Sequence, residues 1–147
     1  MYIALFILTH WYLSLFFQTF FLHRYASHNM FKMSHTWEKI FFFLTFIFQG
    51  SSFLNPAAYA IMHRRHHTHT DTKKDPHSPI FITNIISFNL ATAKRYRELV
   101  VGLKNGTVTA KNLPRWNLIE NLGESILVRA LFILMYVIFY LNFATNT

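Results

Sequence analysis

The sequence predicts an all-helical protein that sits in a membrane, and three observations predict it. Two uninterrupted apolar runs, at residues 2–22 and 126–143, are each long enough to cross a hydrocarbon core of about 30 Å. Hydrophobic residues make up 52% of the 147 positions, 17 of them Phe, while charged residues are only 14%. That is about half the roughly 25% usual in soluble proteins. Finally, all but one of the 14 Lys and Arg residues lie between Arg24 and Arg115, so both apolar ends carry almost no positive charge.

The first run, YIALFILTHWYLSLFFQTFFL, lacks the basic start and small-residue cleavage site of a signal peptide, so it is expected to be retained. The second, ILVRALFILMYVIFYLNF, carries one charge, Arg129, a turn from its start, where a long side chain can snorkel to the interface. The positive-inside rule then puts the whole middle of the chain in the cytoplasm and both termini on the other side. A third run, residues 40–54, is about 22 Å long as a helix, too short for a full crossing. Gln49, Gly50, Ser51 and Ser52 interrupt it, and Asn55–Pro56 end it. With positive charge on both sides, it reads as a re-entrant or interfacial helix, or a buried layer of the cytoplasmic region. Residues 70–79, TDTKKDPHSP, form a loop, residues 94–98, KRYRE, fit a surface helix, and residues 104–106, KNG, signal a turn. No repeat or linker divides the chain, so it reads as a single domain over residues 1–147.

Composition excludes several functions. Without cysteine there is no disulfide, no thiolate zinc or iron–sulfur ligation and no cysteine nucleophile. The net charge of +8 follows from the membrane asymmetry, and no nucleic-acid motif or basic recognition helix accompanies it.

Nine histidines remain to be explained, and five form two boxes: His23-Arg-Tyr-Ala-Ser-His28 and His63-Arg-Arg-His66-His67. On a helix His63, His66 and His67 stand at i, i+3 and i+4 and share a face. His66 and His67 diverge by about 100°, so they can reach different ions of a metal pair. His23 and His28, five apart, diverge by about 140° on a regular helix. They therefore serve two ions, or one lies past the helix end. Neutral imidazole suits zinc, copper, nickel and iron. Two boxes at one predicted membrane face favour an imidazole-dominated site, read here as a dinuclear iron centre for oxygen chemistry, over interface residues without a ligand.

HRYASH and HRRHH resemble the first two histidine boxes of the integral-membrane fatty acid desaturases. The continuation HRRHHTHTDTKKDPHSP closely resembles the bacterial acyl-CoA branch, the delta-9, stearoyl-CoA-like desaturases. The resemblance implies a di-iron enzyme that inserts a cis double bond into a saturated acyl chain, carried as acyl-CoA or acyl-lipid. It implies O₂ and two electrons from an external donor, ferredoxin-like or cytochrome b5-like. It implies an integral protein of the bacterial inner membrane, its boxes on the cytoplasmic side. Carried over by position, His23, His28, His63, His66 and His67 match metal ligands, and no residue is expected to act as an ordinary acid–base catalyst. The family also has a third H-x2-H-H box and usually one more histidine ligand, and no histidine follows His77 here. Five ligands are too few for two irons that each take about four to six. The expectation is thus a partial desaturase fold, truncated at its C-terminus and inactive by itself. The alternatives are a non-catalytic remnant or a membrane fatty acid hydroxylase.

Other residues have two readings each. His10 lies mid-span, where a polar group is functional or bonds a neighbouring helix. His35 reads as an interface residue. His69 and His77 flank the loop, either orienting ligands or solvated. Asp71 and Asp75 either accept hydrogen bonds from ligand imidazoles and fix their tautomers, or cap turns. Arg64 and Arg65 point off the metal face, toward those aspartates or toward acyl-carrier phosphates. Lys94, Arg95 and Arg97 suit the same acyl-carrier phosphates or, in preference, lipid phosphate.

Overall fold

A computed structural model describes residues 1–82 and 84–144. Its elements are α1 (Tyr2–Phe17), a π-helical continuation (Gln18–Ser27), α2 (His35–Gln49), a 3₁₀ turn (Gly50–Ser52), α3 (Pro56–His69), α4 (Ile85–Lys104), α5 (Asn117–Glu124) and α6 (Ile126–Ala144). No strand occurs among the described residues, as the composition predicts. Among the described residues two helices are long and apolar enough to cross a membrane, Tyr2–Ser27 and Ile126–Ala144. Residues 145–147, with the end of the chain, lie outside the described residues.

The chain divides into two compact units. The first comprises Met1–Phe21, Lys32–Leu54 and Trp116–Thr147. Here α1 packs on α2 through Phe17, whose ring stacks on Phe48 at 5.2 Å. It meets α6 through Phe6 and Phe139, 4.3 Å apart. His10 packs between the Phe6 and Tyr136 rings, so this mid-span histidine is part of an aromatic seam. Around them the outward residues are apolar: Leu5, Leu8, Leu15, Leu131, Leu134 and Ile138 are all exposed, and α6 buries no side chain. Such a surface suits lipid and not water. Since lipid tails are as apolar as these side chains, close packing and internal hydrogen bonds hold this unit together.

Arg129 supplies three of those bonds to main-chain carbonyls and one to Glu124. Its guanidinium donates to the carbonyls of Gly123, Ser51 and Phe53 at 2.8, 3.0 and 2.9 Å. The sequence suggested a side chain snorkelling outward, but it turns inward because the 3₁₀ turn and the end of α5 leave carbonyls without helical partners. Gly50 lies in the left-handed region at φ 52°, where glycine carries no Cβ penalty, and the Tyr136 hydroxyl occupies the space a Cβ would need. Gln49 turns its side chain back, its Oε1 accepting from the Leu54 amide at 3.0 Å, which ends α2 where the third apolar run was expected to break. The α2 helix begins five residues before that run, at the polar segment His35-Thr-Trp-Glu-Lys, with Ser34 as its cap. The short helix α5 has no strong sequence signal. It is set by Glu120, which accepts from the Trp116 amide at 2.8 Å.

The second unit comprises Leu22–Phe31 and Asn55–Arg115. Ala57 and Ala58 of α3 are fully buried against Leu99 and Leu103 of α4. The small side chains let the two helices approach closely, and burying each leucine stabilises the pair by about 1.5–3 kcal/mol. Asn55 caps α3, its Oδ1 accepting from the amides of Ala57 and Ala58, while Pro56 occupies the first turn. The Asn55 amide donates to the Tyr96 hydroxyl at 2.6 Å. Asn84 caps α4 in the same way. This helix carries the expected KRYRE segment and ends at the expected KNG turn, where Gly106 has φ 74°.

Candidate metal centre

The first box lies where the helix changes its winding. From Gln18 to Ser27 the backbone is π-helical, and the His28 amide donates to the His23 carbonyl five residues back, at 3.1 Å. On a regular helix positions five apart diverge, but the wider π turn brings them nearly into line. The His23 and His28 rings accordingly lie 4.6 Å apart. The spacing predicted divergence on a regular helix unless one residue lay past its end; the wider π turn reduces the divergence, and His28 lies just past the helix end at Ser27. Asn29 ends the helix at φ 52°, with the Met30 amide closing back on the Arg24 carbonyl at 3.0 Å.

The second box follows α-helical geometry on α3. His63 and His67, one turn apart, bring their rings to 4.5 Å. His63 lies centrally: its Nε2 stands 3.0 Å from the Nε2 atoms of both His28 and His67. Its ring lies 4.6 Å from that of His23 and stacks on Tyr59. One donor nitrogen from each of His23, His28, His63 and His67 falls within 4.8 Å of all the others. Two imidazole donors each about 2.1 Å from one ion and at right angles stand about 3.0 Å apart, so these separations fit a metal. Four neutral imidazoles without a thiolate suit iron, zinc, copper or nickel. Burial, then the neighbouring His23, His67, His28 and His66, lowers the His63 pKa to about 4. At neutral pH its lone pair is therefore available.

His66 stands outside this group of four. Its ring lies 6.5 Å from His63 and 5.7 Å from His67. Its Nδ1 approaches both carboxylate oxygens of Asp75 at 2.9 Å. Asp75 is buried, and its carboxylate also accepts from the amides of Asp71 at 3.0 Å and His77 at 2.8 Å. Burial alone pushes the Asp75 carboxyl up, but these hydrogen bonds outweigh it and hold it below its ordinary value.

The remaining polar residues are placed as follows. Arg64 reaches neither aspartate: it donates to the carbonyls of Ser27 and Ala26, at 2.6 and 2.9 Å. It thereby ties the end of box one to α3, a role no sequence signal revealed. Asp71 accepts from the Ser78 hydroxyl at 3.1 Å. His77 meets Thr92 and Phe88. Arg95 donates to the Asp75 main-chain carbonyl at 2.9 Å. With Arg65, Lys73 and Lys74 it lines a cationic cavity of about 410 Å³ that also touches Glu98. His35 begins α2 and His69 ends α3, and neither belongs to the four-histidine group.

The family profile for fatty acid desaturase matches residues 1–146. The "Delta-9 desaturase-like 5 protein" of Arabidopsis thaliana is 40% identical over 63 residues, 42% of this chain. The match spans a fifth of that relative, 20% of its length. No solved structure matches the chain. A four-histidine cluster alone would suit several metalloproteins, but the family match extends well beyond the boxes to take in both apolar helices. On that ground the chain is an integral membrane protein of the fatty acid desaturase family.

Proposed function

We propose that this chain supplies the first two histidine boxes of a di-iron fatty acyl desaturase. The reaction removes two hydrogens from a saturated CH₂–CH₂ pair and, with O₂, two electrons from an external carrier and two protons from solvent, gives a cis alkene and two waters. Bound iron supplies the activation of oxygen that so inert a bond requires. The chain's own residues hold and orient. His23, His28, His63 and His67 furnish one compact donor group, and His66 furnishes a donor for a second ion. Five imidazoles leave two irons short of the about four to six donors each takes, so further donors come from outside these five. The observation that carries the proposal is the convergence of four imidazole nitrogens, from segments some 40 residues apart, within 4.8 Å.

The distribution of Lys and Arg supports a cytoplasmic position for the boxes. Residues 1–147 act as one membrane domain in this reading, with α2 re-entrant or interfacial. The cationic cavity suits the phosphate of an acyl carrier such as CoA, and the basic surface suits an acidic electron donor.

Purified in detergent and loaded with Fe(II), the chain is expected to hold fewer than two irons. The double variant His63→Ala, His67→Ala is expected to reduce that content to background. Iron content indifferent to both substitutions overturns the ligand assignment. By itself the chain is expected to form no monounsaturated product from palmitoyl or stearoyl substrates with a competent donor. A hydroxylated product in that assay would move the reading to hydroxylation.

A further inference from the structure

The contact between His66 and Asp75 determines more than the position of a loop. A carboxylate accepts hydrogen bonds and donates none. Asp75 meets His66 Nδ1 with both oxygens at 2.9 Å, so on a neutral imidazole the proton sits on Nδ1. The lone pair is then on Nε2, on the ring edge turned away from the carboxylate. The carboxylate is itself fixed. Its side chain has no solvent exposure, the His77 amide holds Oδ1, the Asp71 amide holds Oδ2, and Arg95 holds the main-chain carbonyl. His66 is therefore held in both tautomer and direction by a buried anion nine residues away, across a loop.

We infer that Asp75 is a positioning residue that presents the Nε2 lone pair of His66 as a metal donor apart from the His23, His28, His63 and His67 group. This rests on the reading that the boxes bind metal. It adds that the TDTKKDPHSP loop exists in this form to aim one ligand. Three N–H groups surround the two oxygens, so an isosteric amide cannot replace the carboxylate. One end of an asparagine would be an NH₂ facing another N–H, and the tautomer preference of His66 would be lost.

The test uses the full chain in detergent, labelled with ¹⁵N-histidine, with the His66 resonances assigned by their absence in His66→Gln. In the metal-free protein, His66 is expected to carry its proton on Nδ1. Asp75→Asn is expected to shift it toward Nε2 or a mixture. Asp71→Asn, which alters the same loop without touching His66, is expected to leave it on Nδ1. Titration with Co(II) supplies the second readout: Asp75→Asn is expected to weaken binding by about 10- to 100-fold. His66→Gln is expected to weaken it at least as much, and the double variant no more than His66→Gln alone. A proton on Nε2 in the native chain overturns the inference. So does Asp71→Asn reproducing the Asp75→Asn effect, or additive losses in the double variant. Failure of the desaturase reading looks different: His66 and Asp75 stay coupled in Co(II) binding, and the iron-loaded protein yields a non-desaturated product.

Discussion

The Nε2 atoms of His28 and His63 stand 3.0 Å apart although 35 residues separate them in the chain. Two lone-pair nitrogens at this distance gain nothing from each other unless a proton or a metal lies between them. His67 completes the arrangement by approaching the same His63 atom at 3.0 Å. His63 is thus shared by both short contacts.

Removing His63 should therefore cost more metal binding than removing any outer partner. His63→Ala is expected to weaken Co(II) or Zn(II) binding by more than about 100-fold, beyond the range typical for losing an outer-shell partner. His35→Ala, at the start of α2 and not among the four clustered histidines, should leave affinity unchanged. Equal losses from the two variants would mean that binding is diffuse.

Asn55 caps the helix that carries box two. Asn55→Ala leaves the Ala57 and Ala58 amides without their acceptor and is expected to destabilise the fold by about 1 kcal/mol. Asn55→Asp keeps an acceptor oxygen and should recover most of that loss. Thermal unfolding in detergent, followed by circular dichroism, distinguishes the two.

Arg129 satisfies three main-chain carbonyls with one side chain. Arg129→Met keeps the length and removes every donor, at roughly 1–3 kcal/mol for each carbonyl left unpaired. Arg129→Lys should restore only part, because an ammonium lacks the guanidinium's fork. If both variants melted like the native chain, the inward position of this side chain would carry no stability.

Gly50 and Tyr136 should couple. A methyl group at residue 50 would require a positive φ and meet the Tyr136 hydroxyl. Gly50→Ala is expected to lower stability by about 1–3 kcal/mol. Tyr136→Phe, by deleting that hydroxyl, should reduce the penalty measured in the double variant. Strict additivity of the two changes would contradict the packing.

Much of this protein is legible without a structure, because the relevant signals are local. A long, mainly apolar run reveals a span wherever it occurs, and the bias of Lys and Arg is a matter of counting. The box residues likewise stand out by type and spacing, as does the i, i+4 relation of His63 and His67.

Only the tertiary structure decided which imidazoles share a site. The convergence of His23 with His28 depends on a π-helical register that no hydrophobic pattern encodes. The separation of His66 depends on a carboxylate brought across a loop. Arg64 bonds main-chain carbonyls and not the aspartates its charge suggested, and Arg129 turns inward to three carbonyls and Glu124. A metal-binding site is defined by atomic positions within a few ångströms, whereas sequence spacing fixes only angles along one regular helix. Where the backbone departs from that helix, or where the partner lies across a turn, packing and hydrogen bonding make the choice.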